Sequence, residues 1–355
     1  MQKEIIVISD IHFAKIWDKI GNSLPKNYPY LNPNALLREI VNKIKKGQTL
    51  VINGDLVDYF FADYTSNKQI NWNYFFATLS PCKGKVFLNT GNHDYREIPY
   101  NFSIYGLKHV NITDEARKKY LVKLGFDQFR YLKELPSIFV NKKNKKRLKD
   151  QGLEEAYSIQ FPGKDLLFLS TGPDYFHRLS RIFTKTFLST FRYLGRPCSE
   201  GLTKKQIIYL ERFLAKSKSK EIIIFIHTPP FFSVEKERIY SLPRSKKEDL
   251  KGDKEGNFFI ENRNEFINVL AKSNNNIIVI TSHTHIPCQN ILDKKNKIIR
   301  SSSIKEINKL RKSSEFVKFV GTLPIGAIEP KNKKMGYLVI NDKIKYKIMK
   351  EFGRN

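Results

Sequence analysis

Residues 4–12 read EIIVISDIH, a β-branched apolar run that leads directly into an aspartate and a histidine. The same arrangement, an apolar run followed by acidic or imidazole side chains, recurs four more times. The other stretches are TLVINGDLVD at 49–58, KVFLNTGNHD at 85–94, EIIIFIHTPP at 221–230 and NIIVITSHTH at 276–285. Near-continuous apolar runs of this length are typical of strands that are covered on both faces. Together the five stretches contain five of the seven histidines of the chain.

Amphipathic helical patterns lie between the predicted strands. The clearest cover residues 34–44, residues 203–214 with Thr203 as the expected N-cap, and residues 261–272. Alternation of strands and helices favours an α/β fold with a largely parallel sheet. Because ligands bind beyond the carboxyl ends of the strands in such sheets, the five polar motifs are expected to converge there.

The polar residues at these strand ends are oxygen and nitrogen donors of the kind that bind divalent metals. Asp10 and His12 are two positions apart, as are His283 and His285, so on an extended backbone the side chains of each pair point the same way. Asp55 is a carboxylate that can bridge two cations. Each motif alone is a weak signal, since an isolated Asp-x-His is usually a surface or capping pair. The conjunction of five motifs at predicted strand ends is what indicates a metal centre.

Asn92 adds a carbonyl oxygen to this donor set and His227 adds another imidazole. No cysteine accompanies these residues, so the set suits two divalent ions such as Mn, Fe, Zn or Co better than a thiolate-seeking metal. Two cations about 3.5–4 Å apart generate a bridging hydroxide near neutral pH and hold both oxygens of an in-line displacement. His93 is not needed as a ligand and is free to protonate a leaving group, with Asp58 fixing its tautomer. The motifs therefore predict a two-metal phosphoester hydrolase.

In this order the motifs resemble those of the calcineurin-like metallophosphoesterase superfamily. The resemblance covers roughly residues 4–290, and a C-terminal β-hairpin near 335–350 fits the terminal strands of that family. It implies a two-layer β-sandwich flanked by helices. It also implies two metal sites, one held by Asp10, His12, Asp55 and His285 and the other by Asp55, Asn92, His227 and His283. His93 is expected to be the general acid, oriented by Asp58.

Two positions depart from the family pattern. Ser282 stands where family members usually carry glycine, which serine can replace only if the backbone angle permits it. Tyr59 follows Asp58 where the Ser/Thr protein phosphatases of the family have an arginine, so a phosphoprotein substrate is disfavoured. Asp58 also argues against the double-strand-break nuclease branch, where a histidine is expected.

The length and composition of the chain limit its possible domain organisation and cellular location. With 355 residues, the chain is expected to form a single catalytic domain, with basic insert-like segments near 96–155, 173–200 and 233–260. Three scattered cysteines form no disulfide framework, and no apolar run reaches the length of a membrane span. We expect no cleavable signal peptide, because the N-terminal residues lead directly into a predicted strand. A cytoplasmic location is the expectation, with peripheral attachment to a membrane as the alternative.

An excess of basic residues is the second distinctive feature of the sequence. Lys and Arg number 63 against 35 acids, a net charge of +28, which makes the surface attractive to polyanions. Residues 175–196, YFHRLSRIFTKTFLSTFRYLGR, contain no acid and combine aromatic residues at helical spacing with basic ones. Three interpretations are open for this segment: a lid or core helix, which is preferred, a helix at an anionic membrane surface, or a nucleic-acid contact.

Three classes of function are consistent with these observations. The preferred hypothesis is hydrolysis of a phosphomonoester or phosphodiester of a small molecule or nucleotide. The alternative is a nuclease or other polyanion-directed phosphodiesterase, or a membrane-surface phosphoesterase that acts on a lipid-linked substrate. A non-catalytic binding protein on the same fold is least favoured, because every ligand position of the motifs is occupied.

Overall fold

Two β-sheets and the helices that cover them make up the described part of this computed structural model. The described residues are 4–15, 17–18, 32–57, 68–91, 93–94, 156–161, 163–170, 201–230, 240–241, 262–326 and 334–351. Asp58 and Asn92 lie outside these ranges, and so does the basic segment 175–196. The insert-like segments predicted near 96–155, 173–200 and 233–260 also lie outside them, apart from residues 240–241.

The described ranges contain thirteen strands and five helices. In chain order the strands are β1 (Ile5–Ile8), β2 (Thr49–Asn53), β3 (Lys85–Asn89), β4 (Ala156–Phe161), β5 (Lys164–Leu169), β6 (Glu221–Ile226), β7 (Tyr240–Ser241), β8 (Ile277–Thr281), β9 (Gln289–Asp293), β10 (Ile298–Ser301), β11 (Phe316–Gly321), β12 (Lys334–Ile340) and β13 (Ile344–Glu351). The helices are α1 (Pro33–Lys43), α2 (Lys68–Leu79), α3 (Lys204–Lys216), α4 (Arg263–Lys272) and α5 (Ile304–Lys309).

Both sheets are mixed, and each combines one block of parallel strands with antiparallel strands beside it. The first sheet has the order β13-β12-β1-β2-β3, and the second has the order β4-β5-β6-β8-β11-β9-β10-β7. Among the described strands, parallel pairing is confined to β1-β2-β3 and β5-β6-β8-β11. The largely parallel sheet that the sequence predicts is therefore present only in these two blocks, one at an edge of the first sheet and one inside the second. Short connections, such as the one between β12 and β13, return the chain antiparallel and add the other strands.

Three apolar clusters divide the fold into layers. Alternate residues of β5 show the arrangement, since Leu166 and Phe168 face the other sheet whereas Leu167 and Leu169 face α3 and α4. Helices α1 and α2 cover the outer face of the first sheet in the same way. The result is a two-layer β-sandwich flanked by helices, which confirms the expected fold class.

The strand and helix predictions agree with the structure. Each of the five apolar runs forms a strand, as β1, β2, β3, β6 and β8, and each polar motif follows the carboxyl end. The three predicted helices correspond to α1, α3 and α4. Thr203 caps α3 by accepting a hydrogen bond from the backbone of Gln206, whose side chain accepts one from the Thr203 backbone in return. No helix within the described ranges is long and apolar enough to cross a membrane.

Basic side chains gather at the amino ends of β5 and β6, at the end of the sandwich away from the polar motifs. This basal cluster consists of the cations Lys164, Lys294, Arg311 and Lys318 together with the acid Glu221. Lys318 is fully buried on the face of β11 that meets the other sheet. Its ammonium donates to Asn276 Oδ1 at 2.6 Å and to the carbonyl of Ser313.

Burial lowers the pKa of Lys318 to about 7. The positive charges of Lys294 and Arg311 also lower this pKa, whereas the negative charge of Glu221 raises it. A lysine in the unfolded chain has a pKa near 10.5. Between these two values the unfolded chain carries more protons than the folded chain, so the contribution of Lys318 to folding becomes more favourable as the pH rises.

We expect Lys318→Met to raise the melting temperature at neutral pH, because methionine fills the same space without a buried charge. This advantage over the parent chain should be greatest near pH 7 and below and should shrink towards about pH 10. Thermal unfolding of both proteins at matched ionic strength measures the difference. Lys312→Met, at an exposed lysine, is the control and should show no such trend. A difference between Lys318→Met and the parent that is constant across this pH range would contradict the assignment.

Candidate metal centre

The carboxyl ends of β1, β2, β3, β6 and β8 meet at one end of the sandwich and bring the predicted polar residues together. Three groups of donor atoms are present in which all atoms lie within 4.8 Å of one another. The groups are Asp10–His12–His285, His12–Asp55–His93 and Asp55–His227–His283. All seven candidate site residues within the described ranges belong to these groups. Asp58 and Asn92, the other two candidates, lie outside the described ranges.

Asp55 is at the centre of the arrangement. Its carboxylate oxygen Oδ2 lies 3.1 Å from His227 Nε2, 3.7 Å from His12 Nε2 and 3.9 Å from His93 Nε2. The residue is 1% exposed, so water does not screen these contacts. A carboxylate that faces three imidazoles in a buried position is a natural bridge between two cations.

Asp10 is the second buried carboxylate of the site. Its Oδ1 lies 3.5 Å from His285 Nε2 and 3.9 Å from His227 Nε2, and accepts a hydrogen bond from the backbone N–H of His283 at 3.1 Å. Its other oxygen accepts from the hydroxyl of Ser9 at 2.6 Å. These contacts fix the carboxylate in one orientation and leave Oδ1 turned towards the imidazoles.

His227 provides the sharpest indication of what the site holds. Its Nδ1 is 2.9 Å from the carbonyl of Asn53, and because a carbonyl can only accept, Nδ1 carries the hydrogen. In the neutral ring Nε2 is then a lone pair that faces Asp55 Oδ2. Neither atom makes a hydrogen bond to any described residue, and both are buried. A positive charge at this position, either a proton on Nε2 or a metal ion, offsets the Asp55 carboxylate, so the residues fit a metal ion.

The electrostatics favour ionised aspartates beside a cationic partner. Burial raises the pKa of Asp10, but His285 and His227 outweigh it and lower the pKa to about 2. Burial likewise opposes ionisation of Asp55, yet the charges of His227 and His93 hold its pKa well below the usual range. For His227, burial lowers the pKa, whereas Asp55 and Asp10 raise it to about 9. A metal that binds His227 therefore has to displace a proton.

The backbone at the site is not extended, contrary to the prediction for the pairs Asp10/His12 and His283/His285. Asp10 and His12 both have a φ of 49°, and Asp55, His283 and His285 also lie in the left-handed region, at 51°, 70° and 56°. Such conformations cost about 1–3 kcal/mol for each residue and concentrate at functional sites. The strand ends turn sharply here, and backbone hydrogen bonds such as Asp10 N–H to the Gly54 carbonyl hold the turns.

Glycines lie where the loops pack against the candidate ligands. Gly54 has a φ of +86°, and a Cβ there would lie 2.2 Å from His227 Nδ1. A Cβ at Gly91 would lie 2.4 Å from Asp55 Oδ1. Neither position has room for a larger side chain, so glycine permits the close approach of the β2 and β3 loops to His227 and Asp55.

Asp94 is a site residue whose role the sequence did not reveal. One carboxylate oxygen accepts from the backbone N–H groups of Leu56 and Val57, at 2.9 and 3.1 Å, and the other accepts from Gly91 N–H at 2.8 Å. The side chain thereby ties the loop after β2, which carries Asp55, to the loop after β3. The one feature of the sequence that could have indicated a role for Asp94 is its position directly after His93 in the same motif.

Asn53 and Asn89, the last residues of β2 and β3, join the two sheets beneath the candidate ligands. The amide of Asn53 donates to the carbonyl of Ile226 at 2.9 Å. The amide of Asn89 donates to Asn53 Oδ1 at 3.0 Å and to the carbonyl of Phe225 at 3.2 Å. Buried amides require such partners, so these bonds fix the ends of β2 and β3 against the end of β6.

Ser282, the departure from the family pattern, takes part in the same polar layer. Its φ is not positive, so the backbone accepts a side chain without strain. Its hydroxyl accepts from the amide of Asn53 at 2.8 Å and from the hydroxyl of Thr322 at 3.0 Å. Serine at this position therefore adds a hydrogen-bonding group between the sheets rather than disturbing the turn.

Comparison with known proteins places this geometry in a family. The chain is similar to the crystal structure of a dimetal phosphatase from Danio rerio, with 14% identity, a TM-score of 0.51 and coverage of 98% of this chain and 95% of that chain. It is also similar to PhoD, with 11% identity, a TM-score of 0.47 and coverage of 98% and 66%. A metallophosphoesterase from Sphaerobacter thermophilus gives 10% identity, a TM-score of 0.34 and coverage of 98% and 89%. No curated protein matches the chain.

The zebrafish structure shows a shared fold, and the sequence itself matches a family model. The model for calcineurin-like phosphoesterases matches residues 3–287, the part of the chain that contains all five polar motifs. The chain belongs to the calcineurin-like phosphoesterase family.

Proposed function

We propose that this chain is a binuclear metal-dependent phosphoesterase that hydrolyses a phosphomonoester or phosphodiester of a small molecule or nucleotide. The observation that carries the proposal is the contact between Asp55 Oδ2 and His227 Nε2, two buried atoms 3.1 Å apart that make no hydrogen bond to any described residue. A metal ion bound to both atoms would take the place of the His227 proton and offset the charge of Asp55. Membership of a phosphoesterase family supports the reaction type.

The proposed ligand sets extend two of the donor groups of the site, by adding Asp55 to Asp10–His12–His285 and Asn92 to Asp55–His227–His283. In the proposal the first metal is held by Asp10, His12, Asp55 and His285, and the second by Asp55, His227, His283 and Asn92. Asp55 shares one donor group with His12 and another with His227, so its carboxylate lies close to a ligand of each proposed metal, which supports its role as the bridge. Carboxylate and imidazole donors without thiolate suit Mn, Fe, Zn or Co. When bound, such cations lower the pKa of water to supply the nucleophile and neutralise charge on the phosphoryl group.

His93 is the proposed proton donor to the leaving-group oxygen. Its backbone N–H donates to Asp55 Oδ1 at 2.9 Å, which fixes the residue beside the bridge. Its ring meets that of His12 edge-on, with 4.5 Å between the ring centroids, and is almost fully buried. An imidazole at this position could donate a proton to the leaving-group oxygen. Asp58 is the expected partner that fixes the tautomer of His93.

The net charge of +28 favours a second candidate substrate, a nucleic acid or other polyanion. The small-molecule and polyanion candidates can be distinguished by assaying p-nitrophenyl esters, nucleotides and oligonucleotides over a range of salt concentrations. Hydrolysis of a polyanion falls steeply with salt, because binding releases counterions, whereas hydrolysis of a small ester changes far less. We expect small esters to be the better substrates, and a strong salt-sensitive preference for oligonucleotides would favour the second candidate. Absence of hydrolysis of any phosphoester by the metal-loaded chain would contradict both.

We expect His93→Ala to retain its metals but to lose about 10²–10⁴-fold in kcat with phenyl phosphate, whose leaving group needs a proton. The loss should be much smaller with p-nitrophenyl phosphate, whose leaving group departs without protonation. Steady-state kinetics with the two esters and metal analysis of the purified variant provide the measurement. His285→Ala, at a proposed ligand, is the matched control and should lose metal and activity with both esters.

Two results would count against the role of His93. Equal losses with the two esters would show that His93 does not protonate the leaving group. Loss of metal from His93→Ala would instead assign this residue to the donor group that it forms with His12 and Asp55.

The variant Asp94→Asn tests whether the Asp94 carboxylate holds the loop that carries the proposed bridging residue Asp55. An amide offers one acceptor oxygen and turns its NH₂ group towards a backbone N–H, so at least one of the bonds to Leu56, Val57 and Gly91 is lost. We expect metal affinity to fall about 10–100-fold, the usual effect of removing a partner that orients a ligand. Competition with a fluorescent chelator measures the affinity.

The control for Asp94→Asn is Asp165→Asn at another buried aspartate. Asp165 lies in β5 and accepts from the Ser217 hydroxyl at 2.6 Å. This variant should alter stability while metal affinity stays unchanged. Equal metal affinities for Asp94→Asn and the parent chain would show that the carboxylate does not position the bridge.

A further inference from the structure

His12 lies in the loop that follows β1, and its backbone there is strained. Its φ of 49° falls in the left-handed region, which residues other than glycine rarely adopt. Its imidazole is turned into the candidate metal centre, where Nε2 lies 3.7 Å from Asp55 Oδ2. Because relaxation of the backbone would move this imidazole, the contacts that hold the backbone of His12 decide whether the donor stays in place.

The peptide group between His12 and Phe13 is held from both sides. The indole Nε1 of Trp17 donates to the carbonyl of His12 at 2.8 Å, and the N–H of Phe13 donates to the carbonyl of Leu56 at 3.0 Å. In a trans peptide the carbonyl and the N–H point in opposite directions, so these two bonds together resist rotation of the peptide plane. The preceding N–H, that of His12, donates to the carbonyl of Asp55 at 2.9 Å.

Trp17 is the side chain in this set of bonds, since the other partners are backbone atoms. Both Trp17 and His12 are buried, so water does not compete for the bond between them. The indole Nε1 carries one hydrogen and can only donate, and the carbonyl can only accept. Loss of the indole N–H would weaken the hold on a buried carbonyl at a strained residue, and such a loss is costly in a buried position.

Helices α1 and α2 anchor the loop on which Trp17 lies. Asn34 of α1 donates from Nδ2 to the carbonyl of Ala14 at 2.9 Å. Asn71 of α2 accepts a hydrogen bond at Oδ1 from the backbone N–H of Lys15, also at 2.9 Å. The loop is therefore fixed to both helices that cover the first sheet, and Trp17 reaches back from this fixed position to His12.

Asp18, directly after Trp17, adds an ionic anchor. Arg38 of α1 donates from Nη2 to Asp18 Oδ1 at 2.6 Å and from Nη1 to Oδ2 at 3.2 Å. The hydroxyl of Tyr74 in α2 donates to Oδ2 at 2.8 Å. Burial raises the pKa of Asp18, but the hydrogen bonds from Arg38 and its neighbours outweigh burial and lower this pKa to about 2. The anchor is therefore charged at neutral pH.

We propose that Trp17 is a positioning residue for the candidate metal ligand His12 and acts through the backbone carbonyl of His12. This inference rests on the proposed function, in which His12 binds the first metal. The indole N–H keeps the peptide after His12 in one orientation, and the imidazole consequently stays turned towards Asp55. Trp17 contacts the backbone of the ligand, so it takes no part in the chemical step.

The test compares the two tryptophans of the chain by titrating Mn²⁺ into the metal-free, full-length protein in a calorimeter. Trp17→Phe keeps an aromatic ring and removes the N–H. We expect it to weaken one of the two Mn²⁺-binding events about 10–100-fold, the usual effect of removing a group that orients a ligand. Trp72→Phe is the matched control and should bind as the parent chain does, because the Nε1 of Trp72 is buried but makes no hydrogen bond to any described residue.

A double-mutant cycle distinguishes positioning of His12 from a general effect on packing. His12→Ala should weaken the same binding event as Trp17→Phe. Adding Trp17→Phe to His12→Ala should then cause no further weakening, because no imidazole is left to position. Circular dichroism checks that each variant is folded.

A second way of removing the N–H keeps the test decisive if Trp17→Phe does not fold. In the Trp72→Phe chain, Trp17 is the remaining tryptophan, so it can be replaced by benzothienylalanine during expression. This amino acid has sulfur in place of the indole N–H and nearly the same ring shape. It should weaken the same Mn²⁺-binding event.

Equal Mn²⁺ affinities of Trp17→Phe and Trp72→Phe would overturn the proposal. Additive losses in the double variant would overturn it as well, because they would show that Trp17 acts independently of His12. Both results require a parent chain that binds Mn²⁺. A parent chain that binds no Mn²⁺ would contradict the proposed function itself, and with it the role of His12 as a ligand.

Discussion

The arrangement of the candidate site depends on the contacts between the buried carboxylate of Asp55 and the imidazoles around it. Two buried carboxylates, Asp55 and Asp10, face imidazole nitrogens at 3.1–3.9 Å with almost no access to water. Removing such charges from water is costly unless a counter-charge is close. The carbonyl of Asn53 accepts the hydrogen on His227 Nδ1, so Nε2 is the nitrogen of this imidazole that faces Asp55. A positive charge at the site, whether a proton on His227 or a bound metal ion, would offset the charge of the carboxylates.

The rest of the sandwich holds these groups in place. Asn53 and Asn89 fasten the strand ends of one sheet to those of the other, and Asp94 fastens two ligand loops together. Left-handed backbone at Asp10 and Asp55 is strained, and it persists because neighbouring hydrogen bonds define it. These bonds hold the donor atoms close together, and such pre-organisation is what a catalytic metal site would require.

Much of the fold could be predicted from the sequence, because its signals are local. The apolar runs before each motif specify β1, β2, β3, β6 and β8, and the Thr203–Gln206 capping box specifies the start of α3. The mixed character of the sheets could not be predicted, since strand order is set by distant pairings. The roles of Asn53 and Ser282 were hidden for the same reason: their bond joins residues 229 positions apart. The left-handed turns at Asp10 and His12 were missed because side-chain spacing alone assumes an extended chain.

The most direct test of the account is anomalous X-ray diffraction from crystals of the metal-loaded chain. If Asp55 bridges two metals, two anomalous peaks are expected about 3.5–4 Å apart, one on each side of its carboxylate. Crystals of Asp55→Asn grown with the same metal should lose both peaks, because the bridge serves both ions. A single peak, or peaks that survive unchanged in the variant, would contradict the claim that Asp55 organises a two-metal centre.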